Sequence, residues 1–151
     1  MRLSLLRSPK WPDPTADRGK HSIEYALYPH SREWKDASTV QRGYEYNNPL
    51  IALHTERHKG SLPAQYSFVT LSPSNLILTT LKKAEDSDAW TIQWYDAKGE
   101  DTQATLTLPQ QPKRVVQSNL LEEDGRPIAF QKNSVTLRTS HHAITTIKIY
   151  F

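Results

Sequence analysis

The sequence predicts an all-β protein built as a β-sandwich. Three observations carry this expectation. Short apolar runs alternate residue by residue with polar ones, turn signals recur at roughly every 8–12 residues, and ten prolines leave little room for long helices.

The elements follow in order along the chain. Pro9, Pro12 and Pro14 fix several φ angles close together, so this stretch reads as a stiffened loop. Ile23, Tyr25 and Leu27 alternate with Glu24, Ala26 and Tyr28, which predicts a strand ended by Pro29. Trp34, Ala37 and Val40 recur at spacings of three, which makes Ser31 to Arg42 the one fair helix candidate. Leu50 to His54 reads as a further strand after Asn47-Asn48-Pro49, and Lys59-Gly60-Ser61-Leu62-Pro63 as a connector.

Beyond the connector the strand signals become regular. Phe68 to Leu71 stops at Ser72-Pro73, and Leu76 to Leu81 follows, rich in Leu, Ile and Thr. Trp90, Ile92 and Trp94 share one face of the next strand; Ala104, Leu106 and Leu108 alternate with threonines in the one after it. Val115-Val116 begins another. Asp124-Gly125 marks a turn, Val135 and Leu137 alternate, and Ile147, Ile149 and Phe151 stand opposite Lys148 and Tyr150. The expected organisation is therefore residues 1–58 as one β-region containing the Pro-rich loop, 59–66 as connector, and 67–151 as a small sandwich.

Composition excludes several classes. No stretch approaches the roughly 18 apolar residues of a membrane span, and Arg7 interrupts the N-terminal apolar run before a signal-peptide core can form. A cytoplasmic location is the expectation. The absence of cysteine excludes disulfides, thiolate catalysis and Cys-based metal sites. A net charge of +3 does not point to nucleic acid, because basic and acidic residues are mixed: nine Lys/Arg against seven Asp/Glu up to His58, ten against nine after it.

Several constellations bear on chemistry. His54 and His58 have the spacing of two zinc ligands on a helix, but on a strand residues four apart lie roughly 13 Å apart. His141-His142 would point to opposite faces of a strand, so a metal site built from this chain is not expected. Glu122-Glu123-Asp124 reads as a solvated turn, and no carboxylate pair stands out at the separation of about 5–5.5 Å that retaining glycoside hydrolysis needs. Trp90 and Trp94 read as core, whereas Trp11 and Trp34 are better placed for stacking on a ligand. Asp17-Arg18-Gly19-Lys20-His21 is the densest polar stretch. It reads either as a capped turn or as a contact site for a hydroxylated ligand.

These residues also carry a resemblance. Leu5-Leu6-Arg7-Ser8-Pro9, Pro12-Asp13-Pro14, Ala16-Asp17-Arg18-Gly19-Lys20-His21 and Tyr25-Ala26-Leu27-Tyr28-Pro29-His30 resemble the late β-region of glycoside hydrolase family 38 α-mannosidases. Tyr46-Asn47-Asn48-Pro49-Leu50, Leu81 to Asp86 and Ala143 to Lys148 continue it in register, so it spans nearly the whole chain. The resemblance implies the end of a large sandwich (1–58) followed by a small terminal one (67–151). It also implies retaining hydrolysis of terminal α-mannosides by a zinc site and a nucleophilic aspartate in a separate barrel domain. Nothing here matches that barrel, so this chain is expected to hold no zinc and to be inactive alone. Its expected partners are the remaining domains, another copy of itself, and a mannose-containing oligosaccharide bound by the intact enzyme. By the same analogy Asp17, Arg18 and His21 border the mannose pocket, with Arg18 as a two-pronged donor. The competing expectation is a free-standing carbohydrate-binding or interaction module.

Overall fold

The structure, a computed structural model, describes residues 2–151. Among them are one helix, α1 (Thr39–Asn47), and nine strands: β1 (Thr70–Ser72), β2 (Leu76–Lys83), β3 (Trp90–Asp96), β4 (Thr102–Thr107), β5 (Arg114–Ser118), β6 (Asp124–Pro127), β7 (Phe130–Gln131), β8 (Ser134–Thr139) and β9 (Ile144–Tyr150). Every pairing is antiparallel. One sheet has the order β1-β4-β8-β7 and the other β2-β3-β9-β5-β6. The chain is nearly all β, as the alternation predicts.

Register explains the core. In the five-stranded sheet Ile92 lies opposite Ile147 and Trp90 opposite Ile149; in the four-stranded sheet Leu106 lies opposite Val135 and Ala104 opposite Leu137. A slip of one residue would turn these side chains outward, so burial itself pins the pairing. Ile92, Trp94, Ala104, Leu106, Val135, Ile147 and Ile149 are fully buried in one cluster. Each fully buried large apolar side chain contributes roughly 1.5–3 kcal/mol over leaving it in water. The Trp94 indole N–H would be orphaned there, and it donates to Thr139 Oγ1 at 2.9 Å. Phe151 packs edge-to-face on Trp90, with centroids 4.9 Å apart, so the end of the chain belongs to the core.

The described residues form two compact units, one up to Ser31 and one from Arg32 to Phe151. Every residue of the core cluster and of the shell packed on it lies between Val69 and Phe151.

Several local expectations are corrected. No strand forms over Ile23–Leu27 or Leu50–His54. Both segments have strand composition but no ladder partner, and an extended segment gains nothing from alternation until a second strand satisfies its backbone and covers its apolar face. The helix lies at Thr39–Asn47 instead of 31–42, because residues 31–38 are taken up by bends and turns. Asp124-Gly125 is not a turn but opens β6; the reversal comes earlier, where Glu122 adopts a positive φ of 62°. Lys148 stands opposite Ile147 and Ile149 as expected, and it too is buried, since β9 lies third of five strands and both its faces are covered over most of its length.

Candidate functional site

The polar loop from Asp13 to His21 is built by short-range hydrogen bonds. The Asp13 carboxylate accepts from the Thr15 hydroxyl at 2.7 Å and from the Thr15 N–H at 2.8 Å, and these two bonds hold its pKa below the ordinary value. Ala16 N–H donates to Asp13 O and Arg18 N–H to Thr15 O, which closes consecutive turns. Asp17 sits in the left-handed region at φ 57°, a conformation that Asp tolerates better than most residues. Its carboxylate accepts from Ser8 N–H at 3.2 Å, tying the loop back to the chain entering it.

The structure thus brings all three expected site residues together. The His21 ring nitrogen lies 2.9 Å from Asp17 O, and the Arg18 guanidinium donates to Pro14 O at 3.3 Å. All three side chains are exposed. The loop offers a guanidinium, an imidazole and a carboxylate on a turn-stiffened scaffold, which suits hydrogen bonding to hydroxyls. It does not offer two carboxyl groups poised for displacement at an acetal carbon. Trp11, in the same unit, is 86% exposed and presents its full face.

The remaining sequence candidates separate in space or in role. Trp90 and Trp94 are core. Trp34 is half exposed and lies beside the Lys35 ammonium, 5.6 Å from the ring centroid. His54 and His58 lie in an exposed irregular segment, and His58 Nδ1 is satisfied locally by Glu56 O. The rings of His141 and His142 are 6.3 Å apart, and His141 Nδ1 meets Asp101 instead of its neighbour. Among the described residues no group of three or more His, Cys, Asp or Glu is placed to hold a metal ion, and no helix is long and apolar enough to cross a membrane.

Two polar centres escaped sequence reasoning. Asp96, with 1% of its surface exposed, accepts from Asn75 Nδ2 and from the N–H groups of Lys98, Gly99, Glu100 and His142. Burial opposes its charge, but these donors together outweigh burial and hold its pKa far below the ordinary range. The second centre is Lys148, which reaches Asp124 Oδ1 at 3.0 Å and donates to Asp86 Oδ1 at 3.1 Å and Glu122 O at 3.0 Å. Burial again opposes the charge, and the two carboxylates and Tyr150 overcome it, raising the lysine pKa. Glu122 is itself largely buried, paired to Lys82 at 2.9 Å and accepting from Glu85 N–H at 2.8 Å, so it is no solvated turn residue. These centres fasten loops to strand ends. Their residue types were visible, but only the sheet order shows that β9 has no solvent face.

Comparison with known proteins places this geometry. Residues 75–147 match the family model described as the glycosyl hydrolases family 38 C-terminal beta sandwich domain. The chain belongs to glycoside hydrolase family 38. Within that family 38 assignment it corresponds to the C-terminal β-sandwich part, and the matched residues run from the start of β2 into β9. The chain is 33% identical over 97% of its length to alpha-mannosidase G of Dictyostelium discoideum, covering 14% of that protein. It is 36% identical over 81% of its length to alpha-mannosidase 2C1 of Homo sapiens, covering 12% of it, and 31% identical over 99% to an alpha-mannosidase of Saccharomyces cerevisiae, covering 14%. The family 38 chain thus spans only about one-seventh of the length of these relatives. The first and third similarities, over 97% and 99% of the chain, reach beyond the matched sandwich into both compact units.

Proposed function

We propose that this chain serves as the non-catalytic C-terminal β-region of an α-mannosidase, which hydrolyses terminal α-mannosides when this region is joined to a barrel domain. The observation that carries the reading is the similarity to alpha-mannosidases over 97% of the chain, although the chain covers only 14% of such a relative. Residues 1–58 then complete a larger sandwich whose other strands come from preceding sequence, 59–66 connect, and 67–151 form the terminal sandwich. Leu3, Leu5, Tyr25 and Leu27 line one exposed hollow in the first unit, and exposed apolar surface of this kind commonly marks an interaction site; Leu50 and Ile51, in the second unit, are exposed as well.

In this reading zinc, held by the barrel domain, supplies Lewis-acid binding of sugar hydroxyls. The described residues of this chain offer it no ligand set. What they contribute is the loop at Asp17, Arg18 and His21, which borders the mannose pocket. Arg18 donates to a sugar hydroxyl or to a carboxylate of the site, and Asp17 fixes the loop through Ser8. The protein acts in the cytoplasm, a compartment with which a cysteine-free sequence agrees.

The test has two arms. The isolated chain should not hydrolyse an aryl α-mannoside, and calorimetric titration with mannose and mannobiose should give no heat of binding. In the protein joined to its barrel, Arg18→Ala should lower kcat/KM for a mannoside by about tenfold or more, the loss expected for a charged hydrogen bond, and should leave Tm unchanged. Turnover by the isolated chain overturns the non-catalytic role. Sugar binding by the isolated chain favours the alternative of a free-standing binding module, and unchanged kinetics in Arg18→Ala removes the loop from the pocket.

A further inference from the structure

The stretch from Ser8 to Asp17 is a closed and stiffened loop. The Asp17 carboxylate accepts from Ser8 N–H and so ties its two ends together. Between them Pro9, Pro12 and Pro14 each fix a φ angle. The Asp13 carboxylate is taken up by Thr15, and Ala16 N–H donates to Asp13 O. Just beyond the tie, the Arg18 guanidinium folds back onto Pro14 O. A loop fastened in this way has little freedom left to lose on meeting a ligand, so whatever it presents is preorganised.

What it presents is Trp11. Of the four tryptophans, Trp90 and Trp94 serve the core, and Trp34 is half covered beside Lys35. Trp11 alone stands almost wholly in water, so it has no packing role within the unit. An indole held there forgoes the gain of covering its large apolar face, a gain that a ligand can restore. The partner is not a broad apolar surface, because the loop's other side chains include Lys10, Asp13 and Thr15. One apolar plane among polar groups matches a pyranose ring, whose C–H face is apolar and whose rim carries hydroxyls.

We infer that Trp11 stacks on the leaving sugar, the residue to which the terminal mannose is joined. The inference rests on the reading that puts Arg18 at the mannose pocket. A terminal mannose continues into further sugar on one side only, through the bond that is cut. A second sugar contact beside the pocket therefore meets the leaving group. Arg18 reaches Pro14, and Pro14 is three residues from Trp11, a separation of at most roughly 11 Å along the chain. Two linked pyranose rings cover such a span. Trp11 is thereby a specificity-determining residue, favouring substrates that carry a ring on the leaving side over those that carry none.

Steady-state kinetics of the protein joined to its barrel test it, with an α-linked mannobiose and methyl α-mannoside as substrates. Both release an alcohol from the same mannose, and only mannobiose brings a second ring. Trp11→Ala should lower the ratio of kcat/KM for mannobiose to that for methyl α-mannoside by about fivefold to tenfold, as for loss of one aromatic contact. Trp11→Phe should retain most of that ratio, and neither variant should shift Tm, since the ring is exposed. Arg18→Ala acts on the end common to both substrates, so it should lower both values and leave the ratio as it was. A ratio unchanged in Trp11→Ala, with Arg18→Ala still lowering both values, overturns the stacking while the pocket reading stands. No response in either variant overturns both. A Trp11→Ala loss shared equally by the two substrates also overturns the assignment, because the ring then does not distinguish the leaving sugar.

Discussion

Two segments of this chain have the same apolar alternation and opposite fates. Ile147, Ile149 and Phe151 in and just beyond β9 sit in the core, the first two with no exposed surface. Ile23, Tyr25 and Leu27 are 43%, 64% and 72% exposed and form no strand. The difference is not propensity, since both segments are β-branched and aromatic. It is partnership: β9 has β3 on one side and β5 on the other, with a second sheet beneath it. Periodicity states which face could be buried, and only a neighbour decides whether it is.

The largest expected effect breaks the partnered side of that comparison. Removing residues 147–151 deletes most of a central strand and two fully buried isoleucines, and should abolish cooperative unfolding of the sandwich altogether, as followed by near-ultraviolet circular dichroism. A truncated chain melting like the parent would show that β9 is dispensable. Trp94→Ala is the milder version. It leaves a cavity and strips Thr139 of its donor, at a cost of about 3–5 kcal/mol in a urea titration.

Lys148 sharpens the comparison from the polar side of the same strand. Lys148→Ala removes the buried ammonium that joins Asp124, Asp86 and the Glu122 carbonyl, leaves Asp124 only Arg114 and Tyr150, and should cost about 1–3 kcal/mol. Lys148→Met keeps the stem packed and should cost less. A loss for Met equal to that for Ala would mean that the charge carries the whole effect, and a near-neutral Met would mean that the methylene stem does.

Acid should act on these ion pairs and on a separate one at Asp101. His141 N–H, Arg138 and the His141 ring together lower the Asp101 pKa to about 2. A carboxylate depressed in the folded state stabilises above its unfolded pKa near 3.9, and that contribution fades as pH falls toward 2. Tm should therefore drop between about pH 4 and pH 2, and Asp101→Asn should shallow that slope. An identical slope in the variant would exclude Asp101 as a contributor.

How much of this was legible in the sequence divides along the same line. From β2 to β9 six of eight strands were readable, because alternation there coincides with real neighbours, whereas the short β6 was read as a turn and β7 was not read. The inward faces of Trp90-Ile92-Trp94 and Ala104-Leu106-Leu108 were assigned correctly. Before Thr70 the same signals misled, since no partner strand is supplied within the described residues. Asp17, Arg18 and His21 were legible as one loop because their contacts are local, no more than nine residues apart in sequence. Asp96 and Lys148 were not. Their partners lie up to 62 residues away, and only the tertiary pairing of β3 with β9 and β9 with β5 brings them in.

The smallest expected effect tests the unpartnered side. Leu50 and Ile51 are 100% and 88% exposed and contribute nothing to the core cluster. Leu50→Ser with Ile51→Ser should leave the stability of the sandwich within about 0.5 kcal/mol of the parent, the ordinary range for surface substitutions. The same pair in a protein that carries the preceding domains should be costly, because there these side chains would face a partner. A loss of several kcal/mol in the isolated chain would mean that the segment packs on the sandwich after all. Equal indifference in both settings would mean that it has no partner anywhere, and that strand composition alone kept those residues apolar.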